Sequence, residues 1–177
     1  SGVMGRHNQL NALAAIAAAN HIGISPADSA RALAEFKNVK RRLETIGVAN
    51  DITIYDDFAH HPTAITTTVD GLRRRIGKGR LLAVLEPRSN TMKLGVMKSQ
   101  LPESLKDADL VFGYGAKEGK DALGWDLSES LLPLGQKAKA FNNLEQLVQA
   151  VVSSAQTGDH ILVMSNGGFG GVHNHHK

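Results

Sequence analysis

A chain of 177 residues with 42% hydrophobic, 21% charged and 5% aromatic residues is long and apolar enough to bury about 70% of its unfolded surface, which excludes a disordered chain. It contains no run of about 18 apolar residues, so a membrane-spanning helix is excluded; the absence of cysteine excludes a disulfide scaffold, a thiolate zinc site and a cysteine nucleophile, and fits a reducing compartment. The net charge of +3 and a pI near 9.3 are mildly basic, but with so few aromatics to stack on bases, nucleic acid is a weak reading and an anionic small substrate suits the balance.

In chain order, residues 5–21 read as a helix. Asn8 is a candidate cap, and Leu10, Leu13, Ala14, Ile16 and Ala17 recur at helical spacing. A second short helix has Ser25 as cap, Pro26 at its first position and Asp28 in its first turn, and runs through Ala30, Leu33 and Phe36. The two bracket no strand, so residues 1–38 are expected to be the tail of a preceding domain. Ser1 to Gly5 carries no basic stretch followed by an apolar one, and no signal peptide is expected.

Beyond Val39 the texture changes. Residues 43–48 and 52–55 read as strands joined by a turn at Ala49, Asn50 and Asp51. Pro62 opens a helix through Ile65, Val69 and Leu72, ending in Arg73, Arg74, Arg75 and Lys78, whose charge complements the helix dipole. Leu81 to Leu85 is a continuous apolar run, the pattern of a strand buried on both faces. A helix around 97–105, strands at 109–112 and 137–141, a helix at 144–155 and a strand at 160–164 complete the pattern. The alternation predicts an α/β fold with a doubly wound, mostly parallel sheet over residues 39–173, leaving 174–177 as a tail.

In such sheets ligands bind beyond the carboxyl ends of the strands. Polar or glycine-rich clusters lie there: Asp56-Asp57-Phe58-Ala59-His60-His61-Pro62, Glu86 to Lys93, Gly113-Tyr114-Gly115, and Ser165 to Gly171. The first cluster admits three readings: a zinc or manganese site, a helix cap by Asp57 or His61, or polar recognition of a substrate or nucleotide. Adjacent histidines diverge, which weighs against one shared ion. Arg88, after a buried strand and a proline, suits bidentate binding of a carboxylate or phosphate. The Gly113 loop has one residue too many for the dinucleotide fingerprint, and no G-K-[ST] occurs anywhere, so the chain has no P-loop.

These residues together resemble the ATP-dependent Mur ligases. Gly5-Arg6-His7-Asn8-Gln9-Leu10-Asn11-Ala12-Leu13-Ala14-Ala15 is similar to the motif closing their central domain, and Val39-Lys40-Arg41-Arg42-Leu43-Glu44 to the start of their C-terminal domain. Asp56 to Ala64 is similar to the D-D-x-x-H-H-P loop of the muramate-type members. Leu85-Glu86-Pro87-Arg88-Ser89-Asn90-Thr91-Met92-Lys93 and Val163 to Gly171 most resemble the member that joins the tripeptide L-alanyl-γ-D-glutamyl-meso-diaminopimelate to UDP-N-acetylmuramate in peptidoglycan recycling. The sibling that adds L-alanine usually has tyrosine where Phe58 stands and carries a basic, tyrosine-containing segment missing here.

The resemblance implies ATP-driven phosphorylation of the muramyl carboxylate, attack by the peptide amine on the acyl phosphate, and release of amide and phosphate, with Mg2+ offsetting phosphate charge. It places His7, Asn8 and Asn11 near adenine, and Arg42 and Asp57 at the nucleotide from the C-terminal domain, Asp57 through the ribose hydroxyls. It places His60 and Arg88, with Ser89, Asn90 and Asn166, at the incoming peptide. No catalytic residue is expected in this chain and the Mg2+ ligands are expected mostly in the central domain, so the chain alone is expected to be inactive; its partners are expected to be the protein's own N-terminal and central domains. A cytoplasmic protein is implied, with no membrane or nucleic-acid partner. Two alternatives remain open: an L-alanine ligase domain, and an autonomous nucleotide- or peptide-binding module. A dinucleotide-dependent dehydrogenase is more distant still.

Overall fold

The apolar run Leu81–Leu85 and the strand His160–Met164, apolar after its first residue, lie side by side at the centre of the sheet. The computed structural model describes residues 42–49, 51–87, 94–118 and 122–165. The two expected leading helices, the 38/39 boundary and the tail lie outside them. The strands are β1 (Glu44–Ala49), β2 (Ile52–Asp57), β3 (Leu81–Leu85), β4 (Leu110–Tyr114), β5 (Ala138–Phe141) and β6 (His160–Met164). The helices are α1 (Pro62–Ile76), α2 (Leu94–Ser104), α3 (Leu127–Ser130) and α4 (Leu144–Ser154), with a 3-10 stretch at Leu132–Lys137.

The sheet order is β1-β2-β6-β3-β4-β5. β2, β6, β3, β4 and β5 are parallel, and β1 folds back antiparallel on β2 with a register shift between Thr45 and Gly47. The expected mostly parallel α/β sheet is therefore present among the described residues. The β1–β2 turn carries Asp51 at φ 63°, a left-handed conformation that an aspartate tolerates better than most side chains.

Period-two alternation divides the core into two layers. Ile54, Val84, Phe112 and Val163 face α4, through Leu147, Val148 and Val151. Tyr55, Ala83, Leu85 and Leu162 face α1, α2 and α3, through Ile65, Leu72, Leu101 and Leu127. Each fully buried leucine, isoleucine or valine among them stabilises the fold by about 2 kcal/mol. The connections from β2 to β3, β3 to β4 and β4 to β5 thus run on one face, and the return from β5 to β6 on the other.

Pro102 sits inside α2 and cannot donate to the carbonyl four residues back. The Ser130 hydroxyl of α3 donates to that Lys98 carbonyl instead, at 2.8 Å. The basic end of α1 is more than a solvated terminus. Arg73 donates to the carbonyls of Gly77, Gly79 and Asp107 and to the Asp109 carboxylate, at 2.7–2.9 Å. Asp109 also accepts from the Leu81 amide, so one guanidinium ties α1 to the starts of β3 and β4.

At the same amino edge, the Tyr55 hydroxyl and His160 Nδ1 share a 2.8 Å hydrogen bond. Burial holds the imidazole below its ordinary 6.5, Asp159 pulling it up and Arg73 down. The unfolded chain therefore takes up a proton at higher pH than the native one, and stability falls as pH drops through 6.5. Urea midpoints measured from pH 7.5 to 5 are expected to fall on the acid side, and less steeply in His160→Gln; parallel profiles would remove His160 as the cause.

Candidate functional site

The carboxyl ends of the parallel strands share one edge, so the clusters after β2, β3, β4 and β6 come together there, as far as they are described. Beyond β2 lies a cavity of about 590 Å³ lined by Arg42, Asp57, His60, His61, Thr67 and Thr68 among others. Arg42 and Asp57, expected at the nucleotide, and His60, expected at the peptide, thus line the same cavity. His7, Asn8, Asn11, Arg88, Ser89, Asn90 and Asn166 lie outside the described residues.

Asp57 is nearly buried, and its carboxylate works as a latch. Oδ2 accepts from the Leu43 amide at 2.7 Å. Oδ1 accepts from the Ala59 amide at 2.8 Å and from the Thr68 hydroxyl at 3.1 Å. A carboxylate has about four acceptor sites, so these bonds leave room for one ligand hydroxyl. Leu43 has φ 51°, a left-handed conformation that costs a leucine about 1–2 kcal/mol. The hydrogen bond its N–H donates to Asp57 and its packing on the α1–α3 core layer offset that cost. The result fixes the backbone beside the exposed Arg42.

His60 Nδ1 donates to the Phe58 carbonyl at 2.9 Å, which fixes the ring orientation. The His60 and His61 rings meet edge to face, 5.0 Å between centroids and 82° apart. That edge-to-face contact pairs the rings with each other instead of pointing both at one ion. Among the described residues, no group of three or more His, Asp or Glu could hold a metal. His61 occupies the cap position of α1 in extended conformation, but its side chain makes no capping bond; Pro62 starts the helix. The Asp57 carboxylate reaches α1 through Thr68, nearly two turns in, instead of capping it.

Sequence reasoning overlooked Leu43 and Thr68, which hold Asp57, and three buried polar residues at neighbouring strand ends. Asp56, Glu86 and Ser165 are 0%, 2% and 1% exposed. By alternation they share the α4 face, since Ile54, Val84 and Val163 lie on it. For Glu86 the signal available was an acidic residue directly after an all-apolar strand. Gly113 and Gly115 also have a packing reason: a Cβ on either would lie 2.9 Å from Leu127 or Leu123. They admit α3 and its approach segment, a role for glycine other than cradling phosphate.

The strand order and the clustered strand ends define an open α/β module of the kind that takes ligands at its carboxyl edge, and the family comparison gives its class. Residues 41–167 match the family described as Mur ligase, glutamate ligase domain, and the chain belongs to it. It is 51% identical over 172 residues to the UDP-N-acetylmuramate–L-alanyl-γ-D-glutamyl-meso-2,6-diaminoheptandioate ligase of Escherichia coli K12, covering 97% of this chain and 37% of that protein. The crystal structure of a murein peptide ligase from Psychrobacter arcticus matches with TM-score 0.66 and 42% identity, over 97% of this chain and 36% of that one. A crystallised domain assigned to the same ligase activity in Haemophilus ducreyi matches at 47% identity and TM-score 0.59, over 76% of this chain and 95% of that one. The chain therefore spans a little over a third of the length of its full-length relatives. No helix among the described residues is long and apolar enough to cross a membrane.

Proposed function

We propose that this chain is the part of an ATP-dependent, ADP-forming ligase that receives L-alanyl-γ-D-glutamyl-meso-diaminopimelate and closes on the nucleotide, so that the peptide is joined to UDP-N-acetylmuramate. The observation that carries this reading is the 51% identity to the Escherichia coli ligase of that name across 97% of the chain.

The chemistry is phosphoryl transfer from ATP to the muramyl carboxylate, then attack by the free peptide amine. The amide bond forms, the acyl–phosphate bond breaks, and the amine loses its proton as phosphate leaves. Mg2+ would supply charge neutralisation at the phosphates, with its ligands in other domains of the full-length protein. The site residues fit such a division of labour. Arg42 is an exposed cation on the cavity wall, suited to the nucleotide. Asp57 keeps one acceptor position for a ribose hydroxyl. His60 lines the same cavity, and with Arg88, Ser89, Asn90 and Asn166 is assigned to the peptide. His7, Asn8 and Asn11 are assigned to adenine. Closure of this module over the loaded partner domain would keep water from the acyl phosphate.

The test is phosphate release by the full-length protein with ATP, Mg2+ and UDP-N-acetylmuramate, given either tripeptide or L-alanine. Turnover with tripeptide alone is expected, and none by the 177-residue chain in isolation. Turnover with L-alanine instead would reassign the substrate.

A further inference from the structure

The two strands at the far side of the sheet send their chains to opposite faces. β4 leads to α3 on the α1–α3 face, whereas β5 leads to α4 on the other. Adjacent parallel strands whose connections part in this way leave a crevice between their carboxyl ends, the place where open α/β sheets bind ligands. Such a crevice is present as a cavity of about 540 Å³, separate in its lining from the one beside Asp57. That volume lies in the range of small-molecule sites.

Its walls have a definite chemistry. Leu123, Trp125 and Phe141 provide apolar surface, with Lys117 as a cation and Asp126 as an anion. The Ser128 hydroxyl and backbone amides of α3 hold the Asp126 carboxyl below its ordinary 3.8, so it is ionised at neutral pH. The Trp125 indole N–H is buried without a hydrogen-bond partner, an unsatisfied donor on a residue that lines the crevice. One cation and one anion around an aromatic wall complement a zwitterionic carbon carrying both ammonium and carboxylate, borne on a methylene stem.

We propose that this β4–β5 crevice binds the distal zwitterionic end of the acceptor peptide, with Lys117 on its carboxylate, Asp126 on its ammonium and the methylene stem against Trp125 and Phe141. The proposal rests on the ligase reading above and assigns the far end of its substrate. The diaminoheptandioate in the name of the Escherichia coli relative has such an end. Distance agrees. From β6 to the crevice is two and a half strand spacings, about 12 Å. An extended tripeptide spans about 10 Å, and the diaminopimelate side chain adds to that. The reacting amine can therefore lie at the β2–β6–β3 end while the other end rests at β4–β5.

Trp125 is the single tryptophan of the 177-residue chain, so its emission reports on this crevice alone. The chain is titrated with L-alanyl-γ-D-glutamyl-meso-diaminopimelate, and separately with the dipeptide L-alanyl-γ-D-glutamate, up to about 10 mM, where complexes weaker than millimolar still register. A saturable change with tripeptide and none with dipeptide is expected. Lys117 is exposed, so Lys117→Met leaves the fold intact. That variant is expected to weaken the tripeptide response about tenfold, the loss of one charged contact, and Lys117→Arg to restore most of it. No saturable change, an equal response to dipeptide, or a response that Lys117→Met leaves unaltered overturns the assignment. Ligation by the full-length protein with a silent Trp125 would retire the crevice and keep the function; a responsive Trp125 without ligation would retire the function.

Discussion

Replacing Asp57 by alanine is expected to destabilise the chain by about 3 kcal/mol, which lowers the melting temperature by about 6–12 °C for a protein of this size. The substitution removes the acceptor of the Leu43 amide, the Ala59 amide and the Thr68 hydroxyl together. The buried amides then lose partners that water cannot easily replace, and Leu43 keeps its left-handed strain without the bond that offsets it. Asp57→Asn should fall between wild type and alanine, because an amide retains one acceptor oxygen. Thr68→Val removes only the longest of the bonds and should cost about 1 kcal/mol. In the full-length protein, Asp57→Ala should reduce turnover more than Thr68→Val does, since it loosens the backbone that carries Arg42. Thermal denaturation of the three variants checks the order. A loss below 1 kcal/mol for Asp57→Ala would mean that the latch is not tight in solution.

Arg73→Met has the second-largest expected effect, a loss of about 2 kcal/mol after allowing for partial exposure of the ion pair. Methionine keeps much of the apolar stem but releases the Gly77, Gly79 and Asp107 carbonyls and the Asp109 carboxylate. The acid limb of the stability curve changes with it. Burial alone would raise the Asp109 pKa, but the Leu81 amide and the Arg73 guanidinium overcome that and hold it below 3.8. With the folded value depressed, this contribution is present above 3.8 and is lost as pH falls through the lower folded value. Urea denaturation between pH 7 and 2 should show a shallower acid loss in Arg73→Met than in wild type. An unchanged neutral-pH midpoint would count against the network.

Much of this arrangement was legible before any coordinates. Leu81–Leu85 and Ile161–Met164 read as buried strand because nothing polar interrupts them, and Pro62 announces α1 by its fixed backbone angle. Asp57 and His60 were legible as one polar cluster after a strand, whereas Arg42, which precedes β1, was reached only through the family resemblance. What did not follow depends on pairing across sequence distance. No local pattern says that β6 inserts between β2 and β3, or that Thr68, on a helix of ordinary spacing, serves a carboxylate eleven residues earlier. Arg73 read as one of three solvated arginines, because its carbonyl partners lie up to 34 residues away. Asp56 and Glu86 looked like loop polarity and are instead buried at strand ends.

The position of β6 bears on how such a chain emerges from a ribosome. The last described strand is the middle of the sheet, hydrogen-bonded to β2 on one side and β3 on the other. Until residues 160–164 have been made, the β1–β2 ribbon and the β3–β4–β5 block each present an open apolar edge with no partner. Completion of the module is therefore delayed until almost the whole of it has been synthesised, and the interval is one in which nascent chains are exposed to edge-to-edge association. A message truncated just before codon 160 should yield an insoluble product, whereas one ending after the β6 codons should not, a contrast that a pair of stop codons would reveal in cell lysates.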